Sequence, residues 1–376
     1  MKALRYLAPG RLAIEDVPVP SIFPGEVLVA IGACGLCATD VKTYKRGHPR
    51  IPAGAVLGHE MAGTIVAVAE AESDSGRPES DSGRPESDSG RPESGSGRPE
   101  SGSGGRAPRW APGDRVAVPP YLPCGRCGQC LRGRPTLCPH LMEARPEPGG
   151  FAELVRVPER IVNEGLVRLA DHVEFAIGAF VEPLACVVHG YDALDLKEGD
   201  PLVVIGDGPM GLLHLELGRL NRASPIVLVG ATDDRLAFAR ERADVVVDAR
   251  ADDVPDRVGQ VTGGGAAGVA VCVGATACVA TALTLVRPGG VVNVFAGMPS
   301  GDLMSMDLHR VHYEEVKLVG TFGSGPADFQ RAAGLIADGG VDVSPYITAR
   351  APLDGAIAAF DRALAYDGIK TVVLIK

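Results

Sequence analysis

The sequence predicts an α/β protein in which a doubly wound parallel sheet is joined to a second, antiparallel β domain. Three observations predict this fold class. Helical and strand segments alternate from about residue 163 onward, which is the pattern of a parallel βαβ sheet. A G-x-G-x-x-G turn at residues 206–211 follows an apolar strand. The chain also has 376 residues, 45% of them hydrophobic, which is enough for two buried cores.

The first 70 residues predict short strands joined by turns. Apolar or β-branched runs at residues 12–17, 27–31 and 64–68 are separated by prolines and glycines. Residues 110–118 resume the pattern as a turn and a strand, and residues 371–376 are predicted to form a closing strand of the same domain. We expect no helix longer than one or two turns before Cys124.

A low-complexity segment interrupts this β region. The heptad ESDSGRP occurs three times from Glu72 and then decays, and residues 72–106 contain no aliphatic or aromatic side chain. Such a segment cannot offset its ordering entropy by burial, so we expect a disordered insertion at residues 71–107. The segment has eight acidic residues and five arginines, so it is not a basic patch that would bind nucleic acid. A role in binding a partner is the less favoured alternative.

The charge and cysteine content narrow the partners and the compartment. A formal net charge of −10 disfavours nucleic acid and anionic membranes as partners. No apolar run approaches the roughly 18 residues of a membrane span, and the N-terminus has no signal-peptide core. Nine cysteines, an odd and clustered set, suit metal binding in a reducing compartment better than disulfides. We therefore expect a cytoplasmic protein.

Cys37 and His59, with the Glu60 carboxylate beside them, predict one half of a catalytic zinc site in which the thiol and the imidazole are two of the ligands. Thiolate and imidazole are ligands that Zn²⁺ prefers, and catalytic sites use three protein ligands so that one position stays open. Asp40 is close enough in sequence to orient a ligating histidine. A third ligand must come from elsewhere, and Glu182, an acidic residue inside an apolar segment, is a candidate. The alternatives are a buried thiol with a core histidine, and a helix-capping role for Glu182.

A second cysteine group is the most specific motif in the chain. Cys124, Cys127, Cys130 and Cys138 have the spacing C-x2-C-x2-C-x7-C, with glycines and prolines that permit sharp turns. This pattern favours a closed, structural zinc site with four thiolate ligands. An iron-sulfur cluster is the alternative, because it also takes four cysteines.

The glycine turn predicts a dinucleotide-binding fold. The glycines let backbone amides and a helix N-terminus approach a pyrophosphate. An acidic residue about 20 positions further on would bind the ribose 2′-hydroxyl of NAD, but Gly230 stands there. This favours NADP over NAD, although Asp233 and Asp234 argue for NAD. The predicted cofactor-binding residues are Gly206, Gly208, Pro209, Met210, Gly211, Gly230, Thr232 and Arg235.

Apart from the insertion, the chain resembles the zinc-dependent medium-chain dehydrogenase/reductase superfamily. The motifs are G-x-C-x-T-D at residues 35–40, G-H-E at 58–60, G-D-R-V at 113–116, the four cysteines, E-P-L at 182–184 and G-x-G-x-x-G at 206–211. The E-P-L motif is similar to the polyol and threonine dehydrogenase branch. The resemblance implies that Cys37, His59 and Glu182 bind catalytic zinc, with Glu60 as an alternate ligand, and that the four cysteines bind structural zinc.

The resemblance also implies a domain arrangement. A GroES-like catalytic domain would span residues 1–160, with the zinc lobe at 124–138, and a Rossmann domain would span 161–305. Residues 306–376 would return to the catalytic domain. The family implies a homo-oligomer, either a dimer or a tetramer.

The implied activity is hydride transfer between a secondary alcohol and NAD(P). Zinc would lower the pKa of the substrate hydroxyl, and Thr39 would accept its proton. Lys42 stands where the family commonly has a histidine, so the proton would leave through Lys42, His48 or water. The small-molecule substrate would be a polyol, sugar, cyclitol or amino alcohol. The alternatives are an NADPH-dependent carbonyl reductase and an inactive nucleotide-binding scaffold.

Overall fold

The computed structural model describes residues 1–69 and 109–375. The insertion predicted at residues 71–107 lies outside the described residues. The N-terminal part of the chain consists mainly of strands, which are β1 (Lys2–Ala8), β2 (Arg11–Asp16), β3 (Val27–Gly35), β4 (Glu60–Val68), β5 (Arg115–Val118), β6 (Leu154–Val157) and β7 (Val167–Arg168). Its helices are α1 (Ala38–Arg46), α2 (Gly128–Leu131), α3 (Glu159–Glu164) and α4 (Phe175–Gly178), with 3-10 turns at Pro135–Leu137 and Leu141–Glu143.

The rest of the chain alternates helices and strands. It contains α5 (Val181–Asp192), β8 (Leu202–Ile205), α6 (Pro209–Leu220), β9 (Ile226–Gly230), α7 (Asp233–Ala239), β10 (Val245–Asp248), α8 (Val254–Thr262), β11 (Ala266–Val271), α9 (Thr276–Leu285), β12 (Val286–Val294), α10 (Leu308–Tyr313), β13 (Lys317–Gly320), α11 (Pro326–Ala337), β14 (Ile347–Pro352), α12 (Ala356–Leu364) and β15 (Lys370–Leu374). Two further 3-10 turns lie at Ser344–Tyr346 and Leu353–Gly355.

The parallel sheet is doubly wound, as predicted. Its six strands have the order β10-β9-β8-β11-β12-β13, and every neighbouring pair is parallel. The central strand β8 is buried along its whole length, which explains its continuous run of apolar residues. The strand order reverses between β8 and β11, and in such sheets ligands bind outside the carboxyl ends of the strands at this point.

The second sheet is largely antiparallel and has the order β14-β15-β3-β4-β5-β7, with β6 also paired to β3. β15 pairs with β3, so the C-terminal segment completes the N-terminal sheet, as expected for residues 371–376. The register places Gly35 opposite Glu60 on one side and opposite Val372 on the other. Residues that are far apart in the sequence therefore meet at the end of β3.

The limits of the parallel-sheet domain differ from the predicted 161 and 305. β7 pairs with β5 and so belongs to the antiparallel sheet, whereas β13 pairs with β12. The parallel sheet therefore extends to Gly320. The predicted limit at 305 divides the last βαβ unit, because the connection from β12 through α10 to β13 is a crossover within one sheet.

The nine-residue helix α1 corrects the expectation that no helix longer than one or two turns precedes Cys124. Asp40 accepts a hydrogen bond from the Cys37 backbone N–H, at 3.1 Å, and Cys37 Sγ accepts one from the Thr39 N–H, at 3.5 Å. This pair of reciprocal bonds stabilises the first turn. The cap escaped sequence analysis because its first member is a cysteine and not the usual serine, threonine, asparagine or aspartate.

Among the described residues, no helix has the length and the apolar character required to cross a membrane.

His214 is a buried neutral side chain in the core around α6. Its Nδ1 lies 2.7 Å from the Met210 carbonyl oxygen, its ring packs edge-on against Phe295, and its Nε2 has no partner among the described residues. Burial lowers its pKa to about 4. Between pH 6.5 and 4 the unfolded state therefore binds a proton that the folded state does not, so stability falls as the pH falls.

We expect His214→Leu to lose this pH dependence. The wild type should lose about 3 kcal/mol of unfolding free energy relative to the variant when the pH drops from about 7 to about 4. Urea unfolding at several pH values measures the difference. Replacement of the exposed His309 by leucine is the control and should retain the wild-type slope. Parallel pH profiles for the wild type and His214→Leu would contradict the assignment.

Candidate functional site

The register between β3 and β4 brings three candidate ligands together. Cys37 follows the end of β3, His59 directly precedes β4, and Glu60 begins β4 opposite Gly35. One ligand atom from each of Cys37, His59 and Glu60 lies within 4.8 Å of the other two. The pairing of two antiparallel strand ends thus brings Cys37 and His59 together, as the residue types predicted, and adds Glu60, which the family resemblance gave as an alternate ligand.

Asp40 holds this cluster in place. Its Oδ2 accepts the Cys37 N–H, and its Oδ1 accepts the N–H of Gly58 at 3.2 Å and lies 3.6 Å from His59 Nδ1. Gly58 has a φ of +91°, and a Cβ there would lie 2.8 Å from Cys34 Sγ, so only glycine fits. One buried carboxylate therefore positions both the thiol and the imidazole.

Glu60 is paired with a lysine that sequence analysis did not identify. Lys370 Nζ lies 2.6 Å from Oε1 and 2.5 Å from Oε2 of Glu60, and the two side chains are 4% and 1% exposed. The pair crosses β3 at Gly35, where a Cβ would lie 1.9 Å from Glu60 Oε2. The signal in the sequence was weak, because the partners are 310 residues apart and meet only when β15 joins the sheet.

Glu182 lies in the first turn of α5 and is 7% exposed. It is outside the set of atoms within 4.8 Å formed by Cys37, His59 and Glu60. Its Oε1 accepts a hydrogen bond from Cys186 Sγ at 3.5 Å, and its side chain does not cap the helix. Burial raises the pKa of Glu182 to about 7, with the charge of Glu60 adding to the rise and that of His59 opposing it. The charge of Lys370 opposes the rise as well, but Lys370 forms its ion pair with Glu60.

The cluster fits a zinc ion in its chemistry. The cluster and Glu182 beside it together offer a thiol, an imidazole and two buried carboxylates, which are donors that catalytic zinc sites use. Burial alone would lower the pKa of His59, but the negative charges of Asp40 and Cys37 raise it well above its usual value. The surplus of negative charge favours a cation at this position.

Thr39 is exposed in the first turn of α1. Its backbone carbonyl accepts a hydrogen bond from Thr43 Oγ1 at 2.8 Å. Within residues 1–69 and 109–375, its own hydroxyl has no hydrogen-bond partner. The hydroxyl is therefore free to contact a bound molecule beside Cys37.

The four-cysteine lobe forms a separate cluster. One sulfur atom from each of Cys124, Cys127, Cys130 and Cys138 lies within 4.8 Å of the other three. Cys127 Sγ is 3.5 Å from Cys130 Sγ and 3.8 Å from Cys138 Sγ. Four sulfurs about 2.3 Å from one zinc ion would be separated by about 3.8 Å. A multi-iron cluster needs sulfurs further apart, because its cysteines bind different iron atoms, so the geometry favours zinc.

One thiol of the cysteine lobe has a lowered pKa, which favours metal binding. Backbone hydrogen bonds, chiefly from the Arg126 N–H, lower the pKa of Cys124 to about 6, whereas desolvation raises the pKa of Cys130 to about 12. Zinc binds the thiolate form, so a preformed low-pKa thiol favours binding.

The glycine turn has the shape that a pyrophosphate needs. Gly208 is the N-cap residue of α6, and a Cβ on it would meet no described atom within 4 Å. A Cβ on Gly211 would lie 1.9 Å from the Gly206 carbonyl oxygen, so this glycine permits the tight contact between turn and helix. Backbone amides at the start of α6, after Pro209, are open to an anion.

The predicted 2′-phosphate residues behave differently from one another. Gly230 ends β9, and Thr232 is the N-cap of α7. Arg235 does not point toward a phosphate at this strand end, because its guanidinium donates to the carbonyl of Gly368 at 2.8 and 3.0 Å and to that of Tyr366 at 3.4 Å. These hydrogen bonds connect α7 to the segment before β15.

Comparison with known families gives matches over most of the chain. Residues 209–338 match the family described as "Zinc-binding dehydrogenase". Residues 23–77 and 99–166 match the family described as "Alcohol dehydrogenase GroES-like domain". The first match covers β9 to β13 of the parallel sheet, and the second covers β3 to β6 of the antiparallel sheet, so the predicted GroES-like domain is confirmed.

Individual relatives match over nearly the full length. Sorbitol dehydrogenase 1 of Saccharomyces cerevisiae is 30% identical over 97% of this chain and 95% of its own. D-arabitol-phosphate dehydrogenase of Enterococcus avium is 28% identical over 99% and 97%. A zinc-binding dehydrogenase of Sinorhizobium meliloti 1021, solved with NADP bound, is 30% identical with a TM-score of 0.82, covering 100% of this chain and 99% of that one.

The family matches, the relatives and the donor sets lead to the same assignment. Both sheets, the zinc-type donor clusters and the glycine turn are present in one chain. The chain belongs to the zinc-dependent medium-chain dehydrogenase/reductase superfamily and is a zinc-dependent NAD(P) oxidoreductase.

Proposed function

We propose that this enzyme transfers hydride between a secondary alcohol of a polyol, sugar, cyclitol or amino alcohol and NAD(P). The single observation that carries the proposal is the cluster of Cys37, His59 and Glu60 within 4.8 Å of one another, with a buried glutamate nearby. The polyol class is supported by the relatives, which are named for sorbitol and arabitol phosphate. The intact donor set argues against an inactive scaffold.

The residues have separate roles in this proposal. Cys37 and His59 bind the catalytic zinc, Glu182 is the third ligand and Glu60 is the alternate. Bound zinc supplies a Lewis acid that lowers the pKa of the substrate hydroxyl. Thr39, exposed beside Cys37 and with its hydroxyl unused by described residues, accepts a hydrogen bond from the substrate hydroxyl. It relays the proton onward to Lys42, His48 or water. The four cysteines of the lobe hold a structural zinc and do not touch the substrate.

The site lies where the two sheets meet. α5 carries Glu182 and packs against both β4 of the antiparallel sheet and α6 of the parallel sheet. α6 begins at the glycine turn, where Gly206, Gly208, Pro209, Met210 and Gly211 would bind the pyrophosphate. One helix thus connects the metal cluster to the dinucleotide turn, which is the arrangement that hydride transfer requires.

A substrate panel tests the proposal. Polyols, cyclitols and threonine are assayed with NAD and with NADP, and the corresponding ketoses are assayed with NADH and NADPH to determine the favoured direction. We expect at least one polyol to reduce a coenzyme, and purified protein to contain two zinc ions per chain. A single zinc ion and no reduction by any alcohol would refute the proposal.

The third ligand is tested by Glu182→Gln. Distances favour Glu60, but Glu60 already has Lys370 as its counter-ion. The Glu182 carboxyl is influenced by the charges of His59 and Lys370 but forms no ion pair among the described residues. We therefore expect Glu182→Gln to lose the catalytic zinc and to keep the structural zinc, measured by elemental analysis of dialysed protein. Retention of both ions would assign the third position to Glu60.

We propose that the protein is a cytoplasmic homo-oligomer. β13 ends the six-strand order, so its outer edge is available for pairing with a second copy. Leu308, Tyr313 and Leu318 are exposed on or next to this edge. Light scattering measures the oligomeric state, and we expect Leu318→Lys to shift a dimer or tetramer toward smaller species. A monomeric wild type would refute the proposal.

A further inference from the structure

The side chains of Asp207 and Leu236 explain why residue 230 is a glycine. A Cβ on Gly230 would lie 2.7 Å from Cβ and 2.8 Å from Oδ2 of Asp207, and 2.8 Å from Cδ2 of Leu236. Real Cβ atoms essentially never make contacts below 3.0 Å. Residue 230 is therefore glycine because Asp207 and Leu236 fill the space. A glycine at this strand end does not by itself leave room for a 2′-phosphate.

Asp207 occupies the backbone donors that an anion would use. It is the second residue of the G-x-G-x-x-G turn, and its Oδ2 accepts the N–H groups of Ala231 at 2.8 Å and Thr232 at 2.7 Å. These amides directly follow β9. The other oxygen, Oδ1, has no hydrogen bond in the part of the chain that the structure describes. Asp207 is half-buried, so this oxygen can still reach a bound molecule.

The arginines near this loop are already paired. Arg235 donates to the carbonyls of Gly368 and Tyr366. Arg250 forms ion pairs with Asp248 and Asp233. A 2′-phosphate carries between about one and a half and two negative charges at neutral pH. Here it would meet the Asp207 carboxylate, while Arg235 and Arg250 are both engaged elsewhere.

We propose that Asp207 makes this enzyme select NAD over NADP. In dinucleotide folds, an acidic side chain at the end of the second strand binds the ribose 2′-hydroxyl. The Asp207 carboxylate lies where a side chain on Gly230 would begin. Asp207, although it belongs to the glycine turn, therefore binds the ribose 2′-hydroxyl in place of a residue at the strand end. Its Oδ1 accepts the 2′-hydroxyl, and its charge repels a 2′-phosphate. This inference rests on the dinucleotide binding in the proposed function.

Direct binding of reduced coenzymes tests the inference without turnover. The fluorescence of NADH and NADPH is titrated with the zinc-loaded, full-length protein. We expect the wild type to bind NADH at least about tenfold more tightly than NADPH. Asp207→Asn retains the size of the side chain and an oxygen acceptor for the loop amides but removes the charge. We expect it to lower the NADH to NADPH preference by about tenfold or more.

Asp244→Asn is the matched control. Asp244 also accepts a backbone amide, the Ile226 N–H at 2.7 Å, but at the opposite end of β9. Its replacement should leave the preference unchanged. If both variants change the preference equally, the effect comes from β9 in general, and the assignment to Asp207 is wrong.

The wild-type measurement decides the matter even if a variant fails to fold. Equal or tighter binding of NADPH by the wild type would overturn the inference while leaving the proposed dehydrogenase intact. An unchanged preference in folded Asp207→Asn would overturn it as well. Absence of binding by both coenzymes would overturn the proposed function together with the inference.

Discussion

Cys37→Ser should abolish turnover and reduce the zinc content from two ions per chain to one. Cys37 supplies the thiolate of the cluster with His59 and Glu60, and the cysteine lobe lies elsewhere. Zinc stabilises transition-state charge by several kcal/mol, so we expect kcat/KM to fall by about a thousandfold or more. NADH binding should persist, because the glycine turn is formed by β8 and α6. Elemental analysis, fluorescence titration and steady-state kinetics measure the three quantities.

Cys278→Ser is the control for this experiment. Cys278 is a half-buried thiol on α9 of the parallel-sheet domain, away from both cysteine clusters. It should retain two zinc ions and the wild-type rate. Substantial turnover by Cys37→Ser, or loss of the zinc of the cysteine lobe in that variant, would contradict the assigned site.

Lys370→Met should destabilise the protein by about 3 to 5 kcal/mol, because removal of one partner of a buried ion pair leaves an uncompensated charge. The Glu60 carboxylate is 1% exposed and has the Lys370 ammonium at 2.5 and 2.6 Å. The pair also joins the C-terminal strand to the metal cluster. Urea unfolding of the zinc-loaded enzyme measures the loss, and the double variant Glu60→Gln/Lys370→Met should recover part of it.

An exposed ion pair provides the comparison. Lys197 lies 2.6 Å from Asp195, but the two side chains are 75% and 72% exposed. Lys197→Met should leave the free energy of unfolding almost unchanged, since solvent screens such pairs. If Lys370→Met and Lys197→Met had equally small effects, the buried pair would have no special role in stability.

The sequence predicted the fold class and most strands because these depend on local pattern. β8 is a continuous apolar run, and the predicted strands at 27–31 and 64–68 lie within β3 and β4. The helix α1 was missed, because its cap is a cysteine bonded reciprocally to Asp40, and sequence rules for caps are built on oxygen acceptors.

The sequence also determined which residues could bind metal. Ligand chemistry depends on residue type, so Cys37, His59 and the four cysteines of the lobe were identified by type and spacing. Glu60 was given as an alternate ligand only by the family resemblance. The lobe is local, with its cysteines spanning residues 124–138, so spacing alone sufficed. For the catalytic cluster, the order of the ligands in space was not predictable, and Glu182 lies outside the 4.8 Å set that Glu60 joins.

Only the tertiary structure decided how distant residues act on these groups. The Lys370 and Glu60 pair depends on β15 lying next to β3, and the Asp207 contact with residue 230 depends on two strand ends meeting. The type of a charged or small residue does not show which distant residue it will contact. Residue type and spacing thus determined the chemistry that this chain can perform, whereas strand pairing over hundreds of residues determined which charges are compensated, because Coulomb energies depend on distance and burial.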